Sequence, residues 1–273
     1  MKRIIVPTDF SKAAESAAHY AAWLAQKMSA SVELVHVPGI NTSENSLHNW
    51  RVLEQQMIAS AEEGASRLIE SIRNPVEITY KLLEGGPFED VVSKYAVKSE
   101  ADLIVIGSRG ASGLKKTFLG SCAAKLLDTS TKPVIVVPSG IQFDGIKKIA
   151  YATDMVRLNE EIKTIVRLAR PFDAEITILH ITNEGARKRD RSNLRAILIR
   201  MSGYNKIDFK VIENSDIVAG IEEELKSIKP DLLTMFSHQR DVTDKLLGRG
   251  VTRQLAFHNQ VPLMVVNRTM SHQ

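Results

Sequence analysis

The sequence predicts two consecutive α/β domains, each a five-stranded parallel sheet covered by helices, and three observations lead there. At 273 residues the chain is long for one compact domain and comfortable for two. Its apolar residues alternate between short β-branched runs and longer amphipathic stretches, the pattern of strands joined by helical crossovers. The first half also recurs in the second. Lys2-Arg3-Ile4-Ile5-Val6-Pro7-Thr8-Asp9 returns as Lys147-Lys148-Ile149-Ala150-Tyr151-Ala152-Thr153-Asp154 at an offset of 145, and Leu34-Val35-His36-Val37 as Ile178-Leu179-His180-Ile181 at 144. Further on the offset falls to 129, where Glu84 meets Glu213, Asp102-Leu103 meets Asp231-Leu232 and Ser108 meets Ser237. A repeat this long is a duplicated domain and not a solenoid.

In the first half, strands are expected at 2–7, 31–37, 76–83, 102–107 and 133–138. They are short, β-branched and mostly apolar on both faces, as in a sheet covered on both sides. Helices are expected at 11–29, which is Ala-rich and so strongly helix-forming, then at 43–72, 87–99 and 118–130. Pro87 follows the Gly85-Gly86 turn and suits a first helical turn. The drop in offset places the longer connection of the first half between strands two and three. Pro138, Gly140 and Gly145 punctuate the seam, giving domains 1–140 and 146–273. The second half repeats the order, with strands near Ile146, Ala174, Asp208, Asp231 and Pro262.

Composition excludes several classes. With 44% hydrophobic and 25% charged residues, 15 Gly and 9 Pro, the chain is neither fibrous nor low-complexity. No apolar run reaches the roughly 20 residues of a membrane helix. The N-terminus stops at Pro7-Thr8-Asp9 with no long apolar core, so it reads as a strand rather than a secretory signal. The single Cys122 forms no internal disulfide and no Cys-rich zinc site, and a cytoplasmic protein is expected. A net charge of +4 favours an anionic ligand but is too small for a nucleic-acid binder.

In an open parallel sheet, ligands sit at the carboxyl ends of the strands where strand order reverses. Strand one ends in Pro7-Thr8-Asp9, strand two in His36-Val37, and strand four in Ile106-Gly107-Ser108-Arg109-Gly110. Beyond strand four, Gly120-Ser121 opens a helix. Glycines let backbone N–H groups approach an anion, and a helix N-terminus adds donors and the positive end of its dipole. Ser121 supplies a hydroxyl, and Lys115 and Lys116 supply charge. These residues describe a phosphate cradle.

Gly107-x2-Gly110-x9-Gly120-Ser121, between a strand and a helix, resembles the nucleotide-binding signature of the universal stress protein family. Val6-Pro7-Thr8-Asp9-Phe10-Ser11 and Leu34-Val35-His36-Val37 resemble the same family, and the likeness covers nearly the whole chain as a tandem pair. It implies a Rossmann-like (adenine nucleotide alpha-hydrolase-like) fold with strand order 3-2-1-4-5, and two domains meeting through their fifth strands as a pseudo-dimer, with a further homodimer open. It implies ATP, or ADP or AMP, accompanied by Mg²⁺, and a stress-response sensor or adaptor with no membrane or nucleic-acid partner. By the family pattern Pro7, Thr8, Asp9 and Val37 border the adenine and ribose, and Ile106, Gly107 and Gly110 line the ribose and inner phosphates. Gly120, Ser121 and the backbone at Cys122 hold the outer phosphates.

The second half departs from the pattern. Phe236 stands where Gly107 stands, Gln239 where Gly110 stands, and Ala152 where Pro7 stands; Gly248-Arg249-Gly250 is one residue out of register. A phenyl ring there fills the space a ribose or phosphate needs, so nucleotide is expected in the first domain alone. Plainer readings stand beside these. The glycine loop could be a bare strand-to-helix connection, and Asp9 a helix N-cap or turn residue, since Asp154 persists without the glycines. His36 and His180 read as packed histidines, Cys122 as a small buried hydrophobe, and Arg187 to Arg191 with Arg195 and Arg200 as a solvated face. No G-x-G-x-x-G, P-loop ending or G-x-S-x-G elbow is present. Asp9 is the one acid placeable near the phosphate loop, so efficient hydrolysis is not expected. The rivals are a scaffold of the same fold that binds no nucleotide, and a slow ATPase.

Overall fold

The computed structural model describes residues 1–38, 50–108, 119–182, 191–238, 249–258 and 261–268. The chain divides into two compact units, Met1–Gly140 and Ile141–Gln273. Unit 1 runs β1 (Arg3–Pro7), α1 (Lys12–Met28), β2 (Ser31–His36), α2 (Trp50–Ser71), β3 (Ile78–Leu82), α3 (Phe88–Lys98), β4 (Leu103–Gly107), α4 (Ser121–Thr129) and β5 (Val134–Val137). Its strands are all parallel in the order β3-β2-β1-β4-β5, which puts β1 and β4 at the point of reversal. Unit 2 runs β6 (Lys148–Ala152), α5 (Leu158–Ala169), β7 (Glu175–Thr182), α6 (Arg191–Ser202), β8 (Ile207–Glu213), α7 (Ile217–Ile228), β9 (Leu232–His238), α8 (Arg249–His258) and β10 (Leu263–Arg268). It repeats the order as β8-β7-β6-β9-β10, again all parallel.

Strands β4 and β5 are buried along their whole length, as their unbroken apolar runs require. α1 lies close against them because the face it buries is largely alanine: Ala14, Ala17, Ala18, Ala21, Ala22 and Ala25. Its N-terminus is capped by Ser11, whose hydroxyl accepts the Ala14 N–H, and its C-terminus ends at Ser29 in the left-handed region, with φ 53°. Pro87 stands one residue earlier than the sequence suggests: it is the residue before α3, with extended ψ 136°, and Phe88 begins the helix.

The repeat is visible at the other edge of the sheet too. Asp102 Oδ2 accepts the N–H groups of Lys2 at 2.5 Å and Arg3 at 3.2 Å, tying the start of β1 to that of β4. Asp231 Oδ2 does the same for Lys147 at 2.7 Å and Lys148 at 2.8 Å in unit 2. This accounts for the Asp-Leu pair that recurs at both strand starts. At Asp102 partial burial works against ionisation, but the two backbone N–H bonds outweigh it and hold the carboxyl below its ordinary value. Its stabilisation is therefore complete above the unfolded value of about 3.9 and is lost as pH falls through the lower folded value. Asp102→Ala is expected to destabilise unit 1 by roughly 1 kcal/mol, discounted for exposure. Chemical denaturation of the two proteins across pH checks this: the difference should be constant above about pH 4 and close towards zero below it.

Candidate functional site

The carboxyl edge of unit 1 is built from one turn. Thr8 prolongs the β1 ladder, its N–H donating to Val35 O at 2.9 Å. Its hydroxyl then accepts the Phe10 N–H at 3.0 Å, and Asp9 Oδ1 accepts the Ser11 N–H at 3.1 Å. Phe10 itself is left-handed, with φ 59°. His36, the last residue of β2, donates from Nδ1 to the Thr8 carbonyl at 2.8 Å. A carbonyl can only accept, so Nδ1 carries the proton. Phe10 tilts over the imidazole with ring centroids 5.1 Å apart, and its ring lies so close to α2 that a Cβ on Gly64 would come within 3.0 Å of it. A cleft of about 340 Å³ opens beside these rings, lined also by Pro38, Met57, Ser60 and Ala61.

Unit 2 reproduces the turn atom for atom. Thr153 accepts the Met155 N–H and Asp154 the Val156 N–H, both at 3.0 Å, and Met155 has φ 70°. His180 Nδ1 meets Thr153 O at 3.0 Å. Asp9 is therefore a turn residue and not the helix cap, which is Ser11. The recurrence of Thr, Asp and His in both halves has a structural cause, whether or not either half holds a ligand.

Strand β4 delivers the second part of the site. Ser108 N–H donates to Val137 O at 2.9 Å and Ser108 O accepts the Gly120 N–H at 2.8 Å, which fixes the start of α4 at the end of β4. Gly120 is the N-cap of α4 and has no side chain with which to cap the helix. Its first N–H groups are thus directed at whatever lies beyond the strand ends. Buried Pro7 and Thr8, exposed Asp9, half-buried Val37, buried Ile106 and Gly107, half-buried Gly120, and exposed Ser121 and Cys122 all meet at this edge. Gly110, Arg109, Lys115 and Lys116 lie outside the described residues. The glycine at 107 is demanded by more than a ligand: a Cβ there would stand 2.5 Å from the Ala13 carbonyl oxygen. The close seat of α1 on β4 depends on it.

Two expectations change. Cys122 is exposed at the α4 start rather than buried, although local desolvation pushes its thiol up, keeping it a neutral thiol at neutral pH. And Asp9 is not the only acid here. Lys125 Nζ sits 2.8 Å from Glu89 Oε1, joining α4 to the first turn of α3. This hydrogen-bonded pairing holds the Glu89 carboxyl below and the Lys125 ammonium above their usual ranges. The i, i+4 spacing of Ser121 and Lys125 was the signal available for this lysine.

In unit 2 the position of Gly107 is taken by an aromatic residue. Phe236 is only 2% exposed and meets the Tyr151 ring edge-on at 5.8 Å. The Tyr151 hydroxyl donates to the carboxylate of buried Glu161, which Thr153 Oγ1 also approaches at 3.5 Å. Burial, reinforced by the Glu161 charge, pushes the Tyr151 phenol well above its ordinary value, so it remains a donor. Gln239 and Gly248 lie outside the described residues. Among the described residues no group of three or more His, Cys, Asp or Glu forms a metal site, and no helix is long and apolar enough to cross a membrane.

Comparison with known proteins follows the same division. Residues 1–138 match the model of the universal stress protein family. A universal stress protein of Methanocaldococcus jannaschii is 30% identical over 142 residues, 50% of this chain and 81% of its own. One from Synechocystis is 23% identical over 97% of this chain and 99% of its own. The crystal structure of a universal stress protein from Archaeoglobus fulgidus superposes with a TM-score of 0.74 at 19% identity, covering 98% of both chains, and so shares the fold.

The packing at position 107 yields a test that needs no ligand. Gly107→Ala is expected to lower the stability of the nucleotide-free protein by about 1–3 kcal/mol, because α1 must shift to clear the new methyl group. Urea unfolding measures it, and unchanged stability would show that α1 does not depend on this glycine.

Proposed function

The chain belongs to the universal stress protein family, and on that premise we propose that unit 1 binds an adenine nucleotide, ATP or its shorter relatives, at the carboxyl edge of β1 and β4. The observation that carries this reading is the convergence there of the 7–9 turn, Val37, Ile106-Gly107 and the start of α4, a helix whose N-cap is a glycine. Pro7, Thr8, Asp9 and Val37 border the nucleoside, Ile106 and Gly107 the inner phosphates, together with Gly110. Gly120, Ser121 and the Cys122 N–H receive the outer phosphates. These groups suit a nucleotide: flat apolar walls beside the strands, backbone donors and a hydroxyl where negative charge accumulates. Where Mg²⁺ accompanies the nucleotide, it would neutralise phosphate charge at the start of α4.

Unit 2 does not take part. Phe236, packed on Tyr151 above the buried Glu161, fills the corresponding space. One site per chain follows, in a cytoplasmic stress-response sensor or adaptor whose folded state is favoured by the nucleotide it binds. A second reading, a scaffold of the same fold that binds no nucleotide, is favoured by one specific fact. The recurring Thr, Asp and His and the glycine at 107 each have a packing role that needs no ligand.

Native mass spectrometry of the purified protein with added ATP separates these readings. One adenine nucleotide per chain is expected, and it should be lost in Gly120→Val. Gly120 has an ordinary φ of −57°, so the substitution obstructs the approach to α4 without straining the backbone. Two nucleotides per chain would contradict the plugged second unit; none at millimolar ATP would leave the scaffold.

A further inference from the structure

We infer that the Glu89–Lys125 ion pair is a charge gate through which the unit 1 site distinguishes nucleotides by their number of phosphates; the inference rests on the nucleotide reading above. Lys125 lies one turn beyond Ser121, and both are on the exposed face of α4. Side chains on a helix lean towards its N-terminus, so the lysine stem carries its ammonium back over the first turn, where Gly120 and Ser121 receive outer phosphates. It is held there by Glu89 at 2.8 Å.

The two partners are not equivalent. Glu89 is 15% exposed and Lys125 55%, so the acid is the fixed member and the lysine the one free to swing. Glu89 also has a second hold: it stands in the first turn of α3, where a backbone hydrogen bond and the positive end of the helix favour its charge. Removing the lysine from it therefore does not leave a buried, uncompensated carboxylate. Lys125, by contrast, is more than half exposed, and a phosphate offers it a stronger charge-assisted bond.

The surroundings give this exchange a direction. Among the described residues, the charged groups whose fields reach the Cys122 thiol at the start of α4 are Glu89, Lys125 and Asp9. The Glu89 and Asp9 carboxylates oppose an incoming outer phosphate, and Lys125 turned towards it offsets them. A monophosphate, whose only phosphate lies by the ribose, leaves the pair undisturbed. A triphosphate reaches α4, draws Lys125 from Glu89, and is opposed by the carboxylate left behind. Lys125 thus favours ATP over AMP, and Glu89 restrains that preference.

Calorimetric titration of ATP and AMP into the full chain and into Lys125→Met and Glu89→Gln tests the gate, with ligand-free melting confirming that each variant folds. Lys125→Met is expected to weaken ATP about tenfold and leave AMP unchanged; Glu89→Gln is expected to tighten ATP several-fold, again without moving AMP. The opposite signs are decisive, because a pair that merely tied α3 to α4 would shift both variants the same way. Same-sign changes, equal effects on ATP and AMP, or indifference to both substitutions in a protein that binds nucleotide would overturn the gate alone. A wild-type chain that binds neither nucleotide would overturn the gate together with the reading beneath it.

Discussion

The carboxyl edge of each unit depends on one hydrogen bond, from a histidine at the end of the second strand to the carbonyl of the threonine that leaves the first. Where β1 departs from the sheet, the Thr8 carbonyl loses its ladder partner while the residue stays buried, 5% exposed. Left unpaired it would cost about 1–3 kcal/mol. His36 supplies the missing donor. With that carbonyl anchored, the Thr8 hydroxyl and the Asp9 carboxylate take up the next two N–H groups, and Phe10 adopts its left-handed conformation at a cost of about 1–2 kcal/mol. Ser11 then caps α1. Four consecutive residues, Thr8 to Ser11, thereby set the direction in which α1 leaves, and the helix arrives so close to β4 that only glycine fits at 107.

The two units share this turn and diverge around it. At the position of Ser11, unit 2 has Val156, which is exposed, and α5 begins at Leu158 after an N-cap, Arg157, that makes no side-chain cap. At the position of Gly107 it has Phe236, and beneath the ring Tyr151 and Glu161 replace Val6 and Ser16. A buried carboxylate is costly unless its oxygens are bonded, and Tyr151 and Thr153 bring hydroxyls to it. The substitutions form one set: the aromatic pair occupies the switch point and the acid holds the phenol in place. A frame with Val6 and Gly107 at these positions in unit 1 carries a buried aromatic pair at them in unit 2.

Much of this could be read from the sequence because it is repetitive and periodic. Short β-branched runs such as Leu103–Gly107 and Val134–Val137 are unambiguous when bounded by glycine, proline or polar residues, and the duplicated Thr-Asp and Asp-Leu pairs locate equivalent strand ends. What could not be read is what depends on approach in three dimensions. The pairing of Glu89 with Lys125 joins helices 36 residues apart in the chain, with no pattern linking them beyond the helical spacing of Ser121 and Lys125. Cys122 was misplaced because small apolar neighbours, Ala123 and Ala124, suggested burial, whereas the first turn of α4 points its residues 121 and 122 outwards. Gly107 carries a packing demand besides its expected ligand role, since a Cβ there would meet Ala13, a constraint invisible without the crossing of α1 over β4. Equivalent motifs therefore carry two meanings, and only the positions at which the units differ can separate ligand chemistry from the chemistry of the fold.

That distinction has an energetic consequence. A ligand that binds only the folded state stabilises it by mass action, about 2.7 kcal/mol at a hundred times its dissociation constant. On the nucleotide reading proposed above, that gain falls on unit 1, while unit 2 draws order from Phe236, Tyr151 and Glu161 packed on one another in its interior. Gly120, as the N-cap of α4, brings no side chain to the first N–H groups of that helix, a local cost that a serine or aspartate there would remove. A nucleotide phosphate would offset that cost in unit 1 alone.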